Sequence, residues 1–156
     1  MAFVRQAVLL VALVGACLAH PDGAPESACA TMIPEHKDAV GEVAGTSTPF
    51  KLVQDKRDFK AGDVVAVTLS SSDTPFKGFF VKAFDENNKE IGQFEASSDT
   101  KAVTKCSGVT HTSNAPKTTV KAVWKAPEGA TGKVHFRATV VIDYHKHVTG
   151  LQSTVA

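Results

Sequence analysis

Residues 120–143, VKAVWKAPEGATGKVHFRATVVID, decide the fold class. Val120, Ala122 and Trp124 alternate with Lys121, Val123 and Lys125. Val134, Phe136, Ala138, Val140 and Ile142 then alternate with His135, Arg137, Thr139, Val141 and Asp143. Side chains change face at every residue only in an extended strand, so each run presents one apolar face and one largely polar face. The intervening APEGATG is a turn composition, which predicts a hairpin.

The same period extends upstream. Val65, Val67 and Leu69 alternate with Val64, Ala66 and Thr68, and Phe79, Val81 and Ala83 with Phe80, Lys82 and Phe84, while turn-forming clusters fall at 58–63, 70–75 and 85–89. Strands are expected at 50–54, 64–70, 78–84, 91–95, 101–106, 118–125, 133–143 and 147–154, with 40–49 as a loop. Helical spacing never takes over. Short strands with one apolar face each predict an all-β domain, an antiparallel sandwich of two packed sheets.

Hydrophobic residues make up 43% of the 156-residue chain and charged residues 21%, a globular composition sufficient for one domain with its own core. The formal charge of +1 argues against a nucleic-acid partner, because neutralising a phosphate backbone takes a clear basic excess.

The first 19 residues read as a secretory leader: Arg5, an apolar run from Ala7 to Ala16, and a small-x-small cleavage site at Cys17-Leu18-Ala19. The run falls short of the roughly 18 apolar residues of a membrane span. No second run of that length follows, which predicts a secreted, extracellular chain of residues 20–156 with no transmembrane segment. Removing the leader leaves 16 basic against 16 acidic side chains, and two cysteines, Cys29 and Cys106. In an oxidising compartment an even pair is by default a disulfide, with a redox or zinc site as the alternative.

The segment from His20 to His36, HPDGAPESACATMIPEH, does not read as strand. Pro21, Pro25 and Pro34 lack the donor a sheet ladder needs and bias the preceding residues away from helix. It is expected to be irregular and tethered through Cys29.

These pieces resemble a reeler domain in order and spacing: PDGAP at 21–25, Ala28-Cys29, Met32, Pro34-Glu35-His36, Ala61-Gly62, Phe76-Lys77-Gly78-Phe79, Gly92-Gln93-Phe94, Cys106, Thr110-His111, Ser113-Asn114, Trp124-Lys125-Ala126-Pro127 and Val134 to Thr139. A leader followed by one such module is similar to small secreted insect defence proteins of the noduler type. The resemblance implies an immunoglobulin-like β-sandwich and a Cys29–Cys106 disulfide. It also implies a role in innate immunity through microbial surface polysaccharides or lipids such as lipopolysaccharide, lipoteichoic acid or β-glucan, with an antimicrobial or nodulation role and contact with host blood-cell surfaces. A matrix or adhesion module binding sulphated glycans is the alternative function.

The candidate ligand-binding residues are basic. If Trp124 pairs with Val134, then Lys121 opposes Arg137, Lys125 opposes Lys133 and Val123 opposes His135. Such a stripe of like charges suits a bound anion, and the alternative reading is a solvated polar face. His145 and His147 form a His-x-His that can reach one metal if they share a face with Asp143, although zinc sites take three or four ligands. No metal or other cofactor is expected. Neither G-x-S-x-G nor H-E-x-x-H is present, so no catalytic residue is assigned and the protein is read as a non-enzyme. Phe76, Phe79, Phe80, Phe84 and Trp124 read as core, with a sugar or lipid platform as the alternative.

Overall fold

The computed structural model describes residues 22–156; the expected leader at 1–19 lies outside the described residues. A short 3-10 turn, Glu26–Cys29, is followed by strands β1 (Val40–Val43), β2 (Phe50–Gln54), β3 (Asp58–Phe59), β4 (Val64–Ser71), β5 (Gly78–Phe84) and β6 (Gln93–Phe94). Strands β7 (Thr100–Val103), β8 (Gly108–His111), β9 (Thr119–Lys125), β10 (Gly132–Lys133), β11 (His135–Val141) and β12 (Lys146–Val155) complete the domain. The protein is all-β, as the period of two predicts.

One sheet runs in the order β6-β9-β4-β2-β12-β11-β5-β8-β7, with β1 beside β12, while β3 and β10 pair separately. The sheet doubles over so that its two halves face each other. Phe50, Leu52, Val65, Val67, Leu69, Val120, Ala122 and Trp124 from one half meet Phe79, Val81, Ala83, Val109, Phe136, Ala138 and Val140 from the other in a single buried cluster. Trp124 is fully buried, edge-on to Phe136 at 6.1 Å and to Phe59 at 5.2 Å. Its indole Nε1 donates to the carbonyl of Ile91 at 2.8 Å, satisfying the one polar atom the burial would otherwise orphan.

Strand β12 joins the halves. Its first part lies between β1 and β11, and its end runs alongside β2. The change of partner coincides with a bulge against Ala138 and Val140, where Gly150 adopts φ +72°, a left-handed conformation that favours glycine. Gln54 ties the junction together. It points inward in step with Phe50 and Leu52, is fully buried, donates to the carbonyls of Val134 (2.9 Å) and Lys56 (2.7 Å), and accepts from the Ser153 hydroxyl (2.6 Å).

Two expectations are corrected. The pairing is not wholly antiparallel, because β12 runs parallel to both β1 and β2. Both partners lie far away in sequence, so the intervening chain supplies the long connections that parallel pairing requires. The run at 120–143 is not a hairpin either: β9 pairs with β4 and β6, and β11 with β5 and β12. The connecting segment is diverted by the chain before β4. Ala126 N–H donates to Asp63 O at 2.8 Å, Val134 N–H donates to Arg57 O at 2.9 Å, and Gly132 pairs with Phe59, so the chain crosses from one half to the other.

The opening segment is a strap over the outer face of β5. Cys29 is disulfide-bonded to Cys106, with Cα atoms 5.8 Å apart. Beneath the strap, Ala28, Phe80, Val103 and Cys106 form a second small core, with Ala24 and Met32 packed against it. Ala24 N–H donates to Thr110 Oγ1 at 2.8 Å and Thr139 Oγ1 donates to Met32 O at 2.6 Å. At Gly23, with φ +117°, a Cβ would stand 2.6 Å from both His111 O and Thr110 Cγ2; only glycine lets the strap approach so closely. Strand β5 is consequently buried on both faces along its whole length.

Candidate ligand-binding site

Because β9 and β11 sit in opposite halves, the basic stripe is split, and Lys121 does not oppose Arg137, nor Lys125 Lys133. Lys121 pairs with Thr68, and Lys125 with Val64 and Gln93, on the outer face of the first half. Lys51, beside Ser70, shares that face. Among the described residues none of these three lysines forms an ion pair. They stand on a flat, solvated surface with exposed Val64 and Val123 and the Asp55 carboxylate, which accepts from Ala66 N–H.

Of the other three basic candidates, Lys133 lies on the separate β3–β10 pair and His135 and Arg137 on the outer face of β11, and all three are engaged. Lys133 approaches Glu86 at 3.9 Å. His135 stacks on Phe84 with centroids 5.8 Å apart and 27° between planes. Its pKa is lowered, first by burial and then by the Arg137 and Arg57 charges, with Asp85 opposing. Arg137 lies over the Phe84 ring at 4.6 Å, and its Nη2 donates to Asn88 Oδ1.

Around Arg137 the structure builds a groove that the sequence reading did not anticipate. Phe84 floors it, and Lys82, Lys89 and Arg137 stand against Glu90 along its sides, with the strap at Thr31 and Met32 as one wall. Lys82 is buried. Its ammonium donates to Cys29 O at 2.6 Å and to the Glu90 carboxylate, and lies 5.3 Å from the Phe84 centroid. Two cations therefore bear on one ring, each gaining from its π face. Arg137 Nε is buried and makes no hydrogen bond in the structure, so a ligand in the groove is met by the terminal nitrogens of the guanidinium. An arginine fork held in place by an aromatic ring, next to Lys89 and hydroxyl side chains, is suited to phosphate or carboxylate oxygens. The alternation of Phe80, Lys82 and Phe84 was the available signal, since a lysine between two aromatics on one face needs a cover.

The histidine pair is not brought together as a metal site. His145 is exposed in the turn before β12, where its N–H donates to Asp143 Oδ1 at 2.7 Å. His147 is buried against Gly41, where an added Cβ would stand 2.6 Å from Nε2. Burial lowers its pKa, and neighbouring His36 lowers it further. Among the described residues no three His, Cys, Asp or Glu side chains are grouped for a metal ion. His36 stacks on Tyr144 at 4.8 Å, and His111 Nδ1 accepts from Phe79 N–H at 3.2 Å.

Residues 27–155 match the family model described as Reeler domain. "Putative defense protein 3" of Antheraea mylitta is 32% identical over 143 residues, 88% of this chain and 85% of that protein. "Ferric-chelate reductase 1" of Bos taurus is 33% identical over 151 residues, 91% of this chain and 24% of that protein. The chain thus spans about a quarter of the length of the reductase relatives it matches. Among solved structures, the human F-spondin reeler domain (fragment 1) superposes with a TM-score of 0.64 at 24% identity, covering 79% of this chain and 92% of that one, a likeness of fold. No helix of the described residues is long and apolar enough to cross a membrane.

Proposed function

The chain belongs to the Reeler domain family, and from that premise we propose that it is a secreted, non-enzymatic defence protein that binds anionic polymers of microbial surfaces through the Arg137 groove. The defence role follows from relatives of matching extent. The chain spans 85% of the Antheraea defence protein but only 24% of the bovine reductase. The doubled sheet fits an immunoglobulin-like sandwich, a scaffold that presents surfaces for binding.

The observation that carries the ligand class is Arg137, oriented by Phe84 and Asn88 in a groove it shares with Lys82 and Lys89. Phosphate-bearing lipopolysaccharide and lipoteichoic acid offer oxygens to such a fork. Neutral β-glucan does not, and it tests whether charge selects the ligand.

The test is equilibrium binding of the secreted protein to lipopolysaccharide, lipoteichoic acid, β-glucan and heparin at several salt concentrations. Arg137→Ala/Lys89→Ala weakens binding to the two phosphate polymers at least tenfold, whereas Lys121→Ala/Lys125→Ala on the flat face changes it less than threefold. Wild-type protein that binds none of the four overturns the recognition role. Unchanged binding by the folded Arg137 variant overturns the site, and tighter binding to heparin than to the microbial polymers identifies a glycan-adhesion module instead.

A further inference from the structure

A second cavity opens farther along the strap. Met32 and Thr139 line both spaces, and the bond from the Thr139 hydroxyl to Met32 O fixes the wall between them. This cavity measures about 300 Å³ and is predominantly apolar, walled by Ala24, Ala28, Met32 and Ile33 of the strap and by Phe80 and Val141 of the sheet. It crosses three neighbouring strands, β8, β5 and β11, which is roughly 10 Å at the spacing of strands in a sheet. A space of that volume drawn out over that length is slender.

The strap cannot settle to close it. The Cys29–Cys106 bond, the Lys82 to Cys29 O bond, the Thr139 to Met32 O bond and the Ala24 N–H to Thr110 bond fix its height above β5 at successive points. Met32 turns the chain with φ +57°. The apolar walls face an open space, so an apolar body seated there gains by removing their surface from water. At the rim Ile33 leaves an apolar side chain 48% exposed. Lys77, Glu35 and Asp143 stand around the same mouth, so it carries both signs of charge.

We infer that this cavity binds the end of a single unbranched alkyl chain whose polar head stays at the mouth. The mixed charges there accept an anionic or a neutral head, so the chain and not the head is the recognised feature. The volume lies at the lower end of small-molecule sites, about 300–1,000 Å³, and is too small for a side of a folded partner. The inference is independent of the Arg137 groove.

Calorimetric titration of the secreted protein with octanoate, decanoate and 1-decanoylglycerol, each kept below its micelle concentration, tests it. Each buried methylene strengthens binding about fourfold, so decanoate binds roughly fifteenfold more tightly than octanoate, and 1-decanoylglycerol lies within a few-fold of decanoate. Val141→Trp fills the cavity from β11 and weakens decanoate at least tenfold. Ile33→Asp, at a half-exposed position that tolerates charge, does the same without touching the core. Absence of binding by all three compounds overturns the inference, as do equal affinities for octanoate and decanoate. Binding of decanoate without 1-decanoylglycerol also overturns it, because recognition then lies in the carboxylate. Undiminished binding by both folded variants excludes the cavity as the site.

Discussion

Lys82 Nζ, on β5, donates to the backbone carbonyl of Cys29 at 2.6 Å, so a buried lysine of the sheet grips the strap at the residue where the disulfide anchors it. The same ammonium binds Glu90, whose carboxylate is 40% exposed while the lysine side chain is 5% exposed. The covalent anchor and the charged one thus coincide, and the groove and the apolar cavity both use the strap they hold.

Lys82→Met keeps the packing volume but orphans Cys29 O and frees Glu90 to solvent. Hydrogen bonds to charged groups contribute about 1.5–3 kcal/mol, and solvation of Glu90 offsets part of the loss, so urea denaturation should show a decrease of roughly 1–3 kcal/mol. Limited proteolysis should cut the strap first. A denaturation midpoint equal to wild type would show that the lysine contributes nothing to anchoring.

Reduction of Cys29–Cys106, which closes a loop 77 residues apart in sequence, is expected to remove about 2–5 kcal/mol. The main core does not include the disulfide, so the reduced protein should retain its β-sheet circular dichroism. Amides of residues 22–36 should lose hydrogen-exchange protection while those of β4 and β9 keep theirs. Uniform loss across both regions would place the bond in the stability of the whole domain.

His147 and His135 both have folded-state pKa values below the ordinary 6.5, because burial disfavours their charged forms and, next in size, His36 and Arg137 respectively add like charge. The unfolded chain therefore binds more protons than the folded one. This stability is fully present above pH 6.5 and is lost as pH falls through it. Urea midpoints at pH 7.5, 6.5 and 5.5 should decline in that order. His147→Leu should flatten the decline, since its Nδ1 has no partner to lose; an unaltered pH profile in that variant would assign the effect to other groups.

Gln54→Leu fills the same space but leaves the carbonyls of Val134 and Lys56 unpaired where β2 meets β12. Orphaning the buried Val134 carbonyl costs about 1–3 kcal/mol, and the part-buried Lys56 carbonyl adds less, so a loss of about 1–3 kcal/mol is expected in chemical denaturation, with cooperativity retained. Thermal stability equal to wild type would mean that these carbonyls find other partners.

Much of the fold is written in the period-two pattern. Val65, Val67, Leu69, Val120, Ala122 and Trp124 all turn inward where alternation puts them. The partnering of β9 and β11 was not legible, because proximity in sequence and a turn composition suggest a hairpin, whereas the contacts of 126–134 with Arg57, Asp58, Phe59 and Asp63 that prevent it are long-range. Strand β1 was missed for a different reason: Val40–Val43 is exposed on both faces, so nothing alternates. The site was hidden behind β5, where a run buried on both faces conceals which side the strap covers. Of the basic candidates, only Arg137 lines the groove, since Lys82 and Lys89 come from elements that sequence neighbourhood does not link to it.

Strand β12 has a consequence for the order of events in folding. The pairs β2–β4–β9 and β5–β8–β7 need nothing from residues 146–155. The two halves become one sheet only when β12 arrives to lie against β11 and β2 together. Until β12 docks, the edges of β2 and β11 that it covers are open to a wrong partner.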